Sequence, residues 1–263
     1  MGRILALGIL GTLACAKIRV PVVPKVPKVP KVPKVPKVPR VPKVPRVPWV
    51  LIALLIASVA EARQGGSITG TITTAAKGAA PVRVTIDQKI CGNELPDEAI
   101  VVDAQGHLAN AVVILTGVKR AAAGDTVVMN EKCRFGPRVQ LARPNANVRT
   151  TSKDPVLHTT QAQTENGRTI FNVALPVPGL NISKPIGAAG TVRLNCNTHP
   201  WMRGWVIVTD DAAAISGADG KFTLDNIPPG TYELRVWHEA LKGAPQKVTV
   251  AAGQPTTLNI QLK

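Results

Sequence analysis

Short segments that alternate between apolar and polar residues dominate the chain from Gly66 onward, and they restrict its fold more than any other feature. Each segment is rich in Val, Ile and Thr, and Gly, Pro, Asp or Asn separates it from the next, as in β-strands joined by turns. No long stretch of this region has helical periodicity. The pattern predicts an all-β protein, a β-sandwich or barrel, with strands at residues 67–74, 81–88, 110–118, 124–130, 146–152, 191–196 and 204–209.

The N-terminal region has a different composition, because residues 23–46 are eight consecutive Val-Pro-Lys/Arg triplets. Proline at every third position excludes a helix or a central strand and predicts an extended polyproline rod of about 3.1 Å per residue. Residues 1–62 contain 11 Lys/Arg and one acid, so 21 of the 32 basic and 15 of the 16 acidic residues lie in the rest of the chain. This mild excess is scattered and is not interleaved with aromatic residues, so we expect no nucleic-acid partner.

An export signal is predicted at residues 49–62, where an apolar run ends in Ala60-Glu61-Ala62. This small-x-small pattern is typical of a signal peptide cleaved after Ala62. A repeat ahead of a signal peptide is abnormal, and one interpretation is that residues 1–48 are absent from the native product. The alternative is that residues 1–16 are the export signal, with Cys15 as a lipidation candidate behind a poor lipobox. Both versions predict a periplasmic or extracellular protein that contacts a membrane only transiently, through its export signal.

A second unit is predicted at residues 210–263, where two further hairpins follow one another. Its motifs are D-G-x-F and P-P-G-x-Y, formed by Asp219, Gly220, Phe222, Pro228, Pro229, Gly230 and Tyr232. They resemble the signature of the carboxypeptidase regulatory-like, transthyretin-like β-sandwich, which implies a spacer or adhesive unit without catalysis. The resemblance covers about half of such a module, which leaves room for an early strand borrowed from the first domain.

The cysteine count is odd once Cys15 is removed with the signal. We assign the disulfide to Cys91 and Cys133, which would close a loop that contributes about 3–4 kcal/mol in the chain-entropy model. Cys196 is then left as a thiol that a metal would hold in an oxidising compartment. The alternative is that Cys196 pairs with Cys91 or Cys133.

Three potential metal ligands, Cys196, His199 and Met202, lie in the heptapeptide CNTHPWM. Thiolate, imidazole and thioether together suit copper, and a second histidine would complete a trigonal site with an axial methionine. His158 is the best candidate, because the turn at Asp154-Pro155 feeds it into a new strand. The other candidates, His107 and His238, are more simply explained as structural or solvent-exposed residues.

The C-x-x-H-P-aromatic-M pattern resembles the ligand loop of the cupredoxins in its short, amicyanin-like spacing. This resemblance implies a Greek-key β-sandwich over residues 66–209 that holds one type 1 copper per chain, with His158, Cys196, His199 and Met202 as ligands. One departure is Thr159, which stands where cupredoxins usually have an asparagine that braces the loop. Threonine can do so only in part, so we expect a looser site.

The resemblance implies a non-enzymatic carrier of single electrons between redox protein partners. A site with this ligand set has no open position for substrate, and no catalytic triad, carboxylate pair or phosphate loop stands out in the sequence. Pro200 and Trp201 would line an apolar docking patch around the exposed edge of His199. The alternative functions are copper storage or delivery, or a structural or carbohydrate-binding role.

Overall fold

The computed structural model describes residues 64–120 and 125–263, so the predicted repeat rod, signal peptide and lipidation candidate lie outside the described residues. The strands are β1 (Gly66–Thr74), β2 (Val82–Arg83), β3 (Glu94–Leu95), β4 (Val112–Lys119), β5 (Thr126–Glu131), β6 (Arg134–Gly136), β7 (Val139–Ala142), β8 (Asn147–Ser152), β9 (His158–Thr164), β10 (Thr169–Leu175), β11 (Asn181–Pro185), β12 (Gly190–Asn195), β13 (Arg203–Val208), β14 (Asp211–Ile215), β15 (Lys221–Ile227), β16 (Gly230–Trp237), β17 (Gln246–Val250) and β18 (Pro255–Leu262). A short helix, α1, spans Gln88–Cys91 in the described part of the chain. No helix of the described ranges is long and apolar enough to span a membrane. The predicted all-β class is confirmed.

The first sandwich consists of a five-stranded sheet, β10-β9-β12-β13-β7, and a four-stranded sheet, β11-β8-β5-β6. Strands that are distant in sequence lie side by side, as in a Greek key: β5 pairs in parallel with β8, and β13 pairs in parallel with β7. Alternate residues of the strands point inward and form one apolar core that includes Val128, Val148, Leu194 and Val206. This core extends to one end of the sandwich, where Cys196 and Met202 belong to it.

The second sandwich consists of a three-stranded sheet, β15-β1-β18, and a four-stranded sheet, β14-β4-β16-β17. Its inward face is a separate apolar core that includes Ile72, Leu115 and Leu234. Gly70 of β1 is required by this packing, because a Cβ there would lie 2.1 Å from the carbonyl oxygen of Leu258 on β18. Only a residue without a side chain therefore fits at this position of β1, between the backbone of β18 and the ring of Phe222.

The strand pairing differs from the division at residue 210 that the sequence indicates. β1 and β4 precede the first sandwich in the chain but pair with C-terminal strands: β1 with β15 and β18, and β4 with β14 and β16. The first sandwich is thus inserted between β4 and β14 of the second. The sequence left room for one early strand borrowed from the first domain, and the pairing of β1 and β4 agrees with this. It could not say which strands are borrowed, because period-two alternation identifies a strand and its buried face but not its partner.

The two sandwiches meet through a small apolar cluster built around Val112, Val139 and Ile207. Beside it, Arg138 makes a bidentate ion pair with Glu239, with Nε–Oε1 and Nη2–Oε2 distances of 2.8 Å each. Both side chains are largely buried, and bidentate geometry is the arrangement in which an Arg–carboxylate pair is strongest. The interface therefore combines apolar packing with a pair that fixes orientation.

The connection between β1 and β4 differs from the expected strand at residues 81–88, which is wrong beyond Arg83. At Asp87 the backbone enters the left-handed region, with φ of 55°, and α1 begins at the next residue. Val84 is fully buried whereas Ile86 is exposed, so beyond Arg83 the alternation reflects one anchoring residue rather than a continued strand.

Candidate metal centre

The loop from Cys196 to Met202 joins β12 to β13 at the end of the first sandwich. Val192 and Leu194 of β12 point into the core, and the same alternation carries the Cys196 side chain inward. The loop closes where the Met202 N–H donates to the His199 carbonyl oxygen at 3.0 Å. The predicted inward-facing thiol thus follows directly from the strand before it.

His158 is the first residue of β9, which pairs with β12 and so lies beside the ligand loop. Its Nδ1 atom is 4.0 Å from Cys196 Sγ, and His199 Nδ1 is 3.7 Å from the same sulfur. The two imidazole rings have centroids 4.6 Å apart. The structure therefore brings together the thiol and both histidines that the sequence predicts as ligands, all three of them buried.

The outer nitrogen of each histidine is held by a carboxylate. His158 Nε2 lies 2.9 Å from Asp154 Oδ2, and His199 Nε2 lies 3.0 Å from Asp87 Oδ2. A carboxylate only accepts hydrogen bonds, so each ring donates Nε2–H to it, and in the neutral ring Nδ1 keeps its lone pair. Both lone pairs then face Cys196 Sγ, which is the arrangement that a metal bound to the thiolate requires.

Thr159 contacts the ligand loop through its backbone and through its hydroxyl group. Its N–H donates to Cys196 Sγ at 3.3 Å, and its hydroxyl oxygen accepts a hydrogen bond from the Asn197 N–H at 2.7 Å. The hydroxyl also lies 3.8 Å from the sulfur. One threonine therefore links β9 to the sulfur of Cys196 and to the backbone of Asn197, and the expectation of a looser loop than in cupredoxins stays a prediction.

The surroundings of Cys196 favour its thiolate. Burial by itself raises the pKa of the thiol, but hydrogen bonds with His158 and His199 and with the Thr159 N–H outweigh it and lower the pKa to about 5. The pKa of His199 is raised despite its burial, because Cys196 and Asp87 both favour the imidazolium form. A thiolate is the form in which cysteine binds metal, so at neutral pH Cys196 is already in the form that a metal would need.

Met202 is buried in the core next to this cluster, with 2% of its side chain exposed. A thiolate, two imidazoles with free Nδ1 atoms and a neighbouring thioether fit copper better than a hard cation, which prefers oxygen ligands. The chemistry of the donor set therefore agrees with the type of metal predicted from the sequence.

The expected exposed edge of His199 is absent, because its side chain is fully buried and Asp87 covers its outer nitrogen. Pro200 is exposed, while Trp201 is partly buried and donates its Nε1–H to the Cys133 carbonyl oxygen at 3.2 Å. The prediction that Pro200 and Trp201 surround an open imidazole edge is therefore wrong. The sequence could not reveal the cover, since Asp87 lies 112 residues before His199.

The two other histidines of the described chain lie elsewhere. His107 Nδ1 pairs with Asp103 Oδ2 at 2.7 Å, and His238 Nδ1 accepts the Ala240 and Leu241 N–H groups at 3.2 Å each. Both make local hydrogen bonds within four residues, as the structural interpretation of these histidines predicts. Asp154 and Asp87, by contrast, were not recognised as part of the site. The spacing of four residues between Asp154 and His158 was a weak signal for the first.

Cys91 and Cys133 form the disulfide that the sequence predicts. Among the described residues Cys196 is the cysteine that stays outside a disulfide. The sulfur atoms of the disulfide lie close to the histidines: Cys91, Cys133 and His199 offer ligand-type atoms within 4.8 Å of one another. The disulfide is thus packed against the candidate metal centre rather than placed at a remote edge.

Comparison with known proteins gives matches for two parts of the chain. Residues 189–263 match the sequence profile of the carboxypeptidase regulatory-like domain. No curated protein sequence matches the chain. Among solved structures, a purple cupredoxin from Nitrosopumilus maritimus is 24% identical, with a TM-score of 0.29, 33% of this chain covered and 100% of that chain covered.

Two further solved structures share this similarity. A reduced amicyanin variant is 20% identical, with a TM-score of 0.29, over 38% of this chain and 99% of that chain. A copper-containing nitrite reductase from Thermus scotoductus is 18% identical, with a TM-score of 0.27, over 35% of this chain and 24% of that chain. The chain is similar to cupredoxins over about a third of its length, and its residues 189–263 match the carboxypeptidase regulatory-like domain.

Proposed function

We propose that the protein is an exported type 1 copper protein that carries single electrons between redox partners and is not an enzyme. The proposal rests on one observation: the Nδ1 atoms of His158 and His199 both lie within 4.0 Å of Cys196 Sγ in a buried site. Bound copper would supply one-electron redox chemistry. The residues that would hold it are His158, Cys196 and His199, with Met202 as the weak axial ligand.

The protein supplies rigidity to this site. Asp154 and Asp87 fix the two imidazole rings through their outer nitrogens, and Thr159 fixes the sulfur. Ligands that are already in place need little rearrangement when an electron arrives or leaves, which favours a carrier. Burial of all three ligands excludes water from the sulfur and protects the thiolate from oxidation.

Trp201 is the side chain that we propose as the contact between the centre and a partner. Its ring centroid lies 5.2 Å from that of His199, and it lines a groove of about 480 Å³ together with Pro200, Met202 and Phe135. Because Asp87 covers the imidazole edge, this groove is the partly open face beside the ligand loop. A redox partner would therefore contact the indole rather than His199.

The experiment that tests the metal assignment is a titration of the purified protein with Cu(II), followed by visible absorption. We expect an intense blue or purple band from thiolate-to-copper charge transfer, and its loss in Cys196→Ser. A colourless complex of the wild-type protein would contradict the assignment. Thr198→Ala, a change in the same loop at a residue outside the ligand set, serves as the matched control and should keep the band.

A second candidate function, copper storage or delivery, is favoured by the covered edge of His199. The two functions differ in what the bound metal does. Reversible voltammetry with fast electron exchange, slowed in Trp201→Ala without a change in potential, would support the carrier. Transfer of copper to an apo-acceptor that is faster than electron exchange would support delivery.

A further inference from the structure

The cover over His199 comes from a segment that belongs by chain order to the second sandwich. We call residues 84–93 the cap; they lie in the connection between β1 and β4. Two cap residues, Val84 and Cys91, are buried in the core of the first sandwich. The Val84 N–H donates to the Asn93 carbonyl oxygen at 2.9 Å, which closes the cap at its base. The cap is therefore a compact loop docked on the metal end of the first sandwich.

Asp87 is the residue that the cap presents to the metal centre. Its left-handed backbone, with φ of 55°, lets its carbonyl oxygen accept the Ile90 and Cys91 N–H groups at 2.9 Å each. Its side chain turns toward His199 and accepts Nε2–H at 3.0 Å. Aspartate is one of the few residues that adopt this backbone conformation readily, so a single residue provides both the turn and the carboxylate.

The cap is tethered near its C-terminal end by the Cys91–Cys133 disulfide, which ties it to the turn between β5 and β6. In that turn the Lys132 and Cys133 N–H groups donate to the two carboxylate oxygens of Asp154 at 2.8 and 2.9 Å. Asp154 also accepts the Nε2–H of His158 at 2.9 Å. The same carboxylate therefore fixes one imidazole and the residue that anchors the cap.

These contacts form a continuous bracket around the site, from His158 through Asp154, Cys133, Cys91 and Asp87 to His199. We propose that Asp87 is a positioning residue for His199, and that the disulfide-tethered cap controls how readily the metal enters and leaves. The inference rests on the proposed copper function for its metal readouts. For the accessibility of Cys196 it stands on the geometry of the bracket alone.

The physical reason is that each outer nitrogen needs a partner that does not move. A histidine ligand whose second nitrogen loses its carboxylate can rotate, and such changes cost about 10- to 100-fold in metal affinity. Asp87 lies on the cap and its side chain is one-third exposed, so its position depends on the disulfide that tethers the cap. Asp154 is buried in the sandwich and does not need the tether in the same way.

Three variants test the inference in the full chain. Cys91→Ser combined with Cys133→Ser releases the cap, Asp87→Ala removes the carboxylate and keeps the tether, and Asp87→Asn keeps an oxygen acceptor. Glu94→Gln is the control, because it removes an exposed carboxylate from β3 beside the cap. Asp87→Ala also covers the case in which the double serine variant fails to fold.

The first readout needs no copper: the rate at which a thiol reagent modifies Cys196 in the metal-free protein. We expect at least a tenfold faster reaction in the double serine variant and unchanged rates in Glu94→Gln. The second readout is copper release to a chelator, expected to be about 10- to 100-fold faster in Asp87→Ala, with partial rescue in Asp87→Asn. A shift of the charge-transfer band in Asp87→Ala, absent in Glu94→Gln, would mark a change at His199 itself.

The outcomes separate the two proposals. If the wild-type protein binds copper but thiol reactivity and copper release are the same in all variants, the cap has no such role and the copper assignment stands. If the wild-type protein binds no copper, the proposed function fails. Faster thiol modification in the double serine variant would then still support the cap as a barrier over Cys196, and unchanged modification would overturn it.

Discussion

The two sandwiches differ in the partners of their buried polar groups. In the second sandwich, Thr74 and Ser216 donate their hydroxyl groups to backbone carbonyl oxygens, at 3.0 and 2.8 Å. In the first, the Nδ1 atoms of His158 and His199 point at the sulfur of Cys196. The neutral hydroxyl groups of Thr74 and Ser216 supply hydrogen bonds to backbone carbonyl oxygens. A cluster of ionisable groups is costly to bury unless it is paired or holds a ligand.

This contrast separates the sandwich that contains the candidate metal centre from the sandwich that does not. His238 in the second sandwich is also buried, but its Nδ1 accepts two backbone N–H groups of the following turn. Burial lowers the pKa of His238, so it is held in the neutral form that this hydrogen bonding needs. Burial alone therefore does not identify a metal ligand; the orientation of the free nitrogen does.

The largest effect is expected when one buried histidine of each sandwich, His158 or His238, is replaced by alanine. His158→Ala should abolish the copper charge-transfer band, because a ligand is lost. His238→Ala should leave the band unchanged and lower the free energy of unfolding by about 1–2 kcal/mol, since two backbone N–H groups lose their acceptor. Visible spectroscopy and denaturant unfolding measure both. Loss of the band in His238→Ala instead would remove the distinction between the two regions.

The next largest effect is on stability and compares one buried polar group from each sandwich. Asp154→Ala should lower the free energy of unfolding by about 3 kcal/mol, because three donors lose a charged acceptor. Ser216→Ala should lower it by about 1–2 kcal/mol, because the Ala111 N–H and the Leu108 carbonyl oxygen lose one neutral partner. Only the first should weaken copper binding. Equal losses from denaturant unfolding would contradict the view that the first sandwich carries the more costly polar cluster.

The pH dependence of the metal-free protein gives a smaller effect with a defined sign. The folded pKa of Cys196 is about 5 and its ordinary value is 9.0, so its thiolate contributes to stability fully above pH 9 and loses this contribution as the pH falls toward 5. The raised pKa of His199 acts in the opposite sense: its contribution is complete below 6.5 and fades as the pH rises through the folded pKa. Part of the two slopes should therefore cancel.

The measurement is ultraviolet thiolate absorbance of the metal-free protein during a pH titration, with Cys196→Ser subtracted. We expect a midpoint near pH 5. A midpoint near 9.0 would show that the histidines do not stabilise the thiolate. Copper affinity should fall at acid pH for the same reason, because the metal must then displace the thiol proton.

The smallest effect is expected at Met202, which lies in the core and which we propose only as a weak axial ligand. Met202→Leu keeps the packing volume and removes the thioether, so the copper-loaded protein should stay coloured while its reduction potential rises. Voltammetry of the two proteins provides the comparison. An unchanged potential would show that the thioether does not reach the metal and that Met202 is a core residue, like its apolar counterparts in the second sandwich.

Several features of this protein were determined by the sequence itself, because they depend on neighbours along the chain. The alternation of Val192 and Leu194 directs Cys196 inward, and the turn after it places His199 and Met202 within six residues. The positions of most of the predicted strands and the C-terminal D-G-x-F and P-P-G-x-Y motifs are local in the same sense, whereas the expected strand at residues 81–88 ends at Arg83. The Cys91–Cys133 pairing was predicted, although the sequence left a pairing with Cys196 open.

Other features were decided only by the tertiary structure, because they join parts of the chain whose distance in sequence carries no signal. The pairing of β1 and β4 with the C-terminal strands depends on which edges meet, and alternation does not encode this. The contact between Asp87 and His199 spans 112 residues and requires a left-handed turn, a disulfide and a docked cap. The convergence of His158, Cys196 and His199 could therefore be predicted, whereas the cover that buries His199 could not.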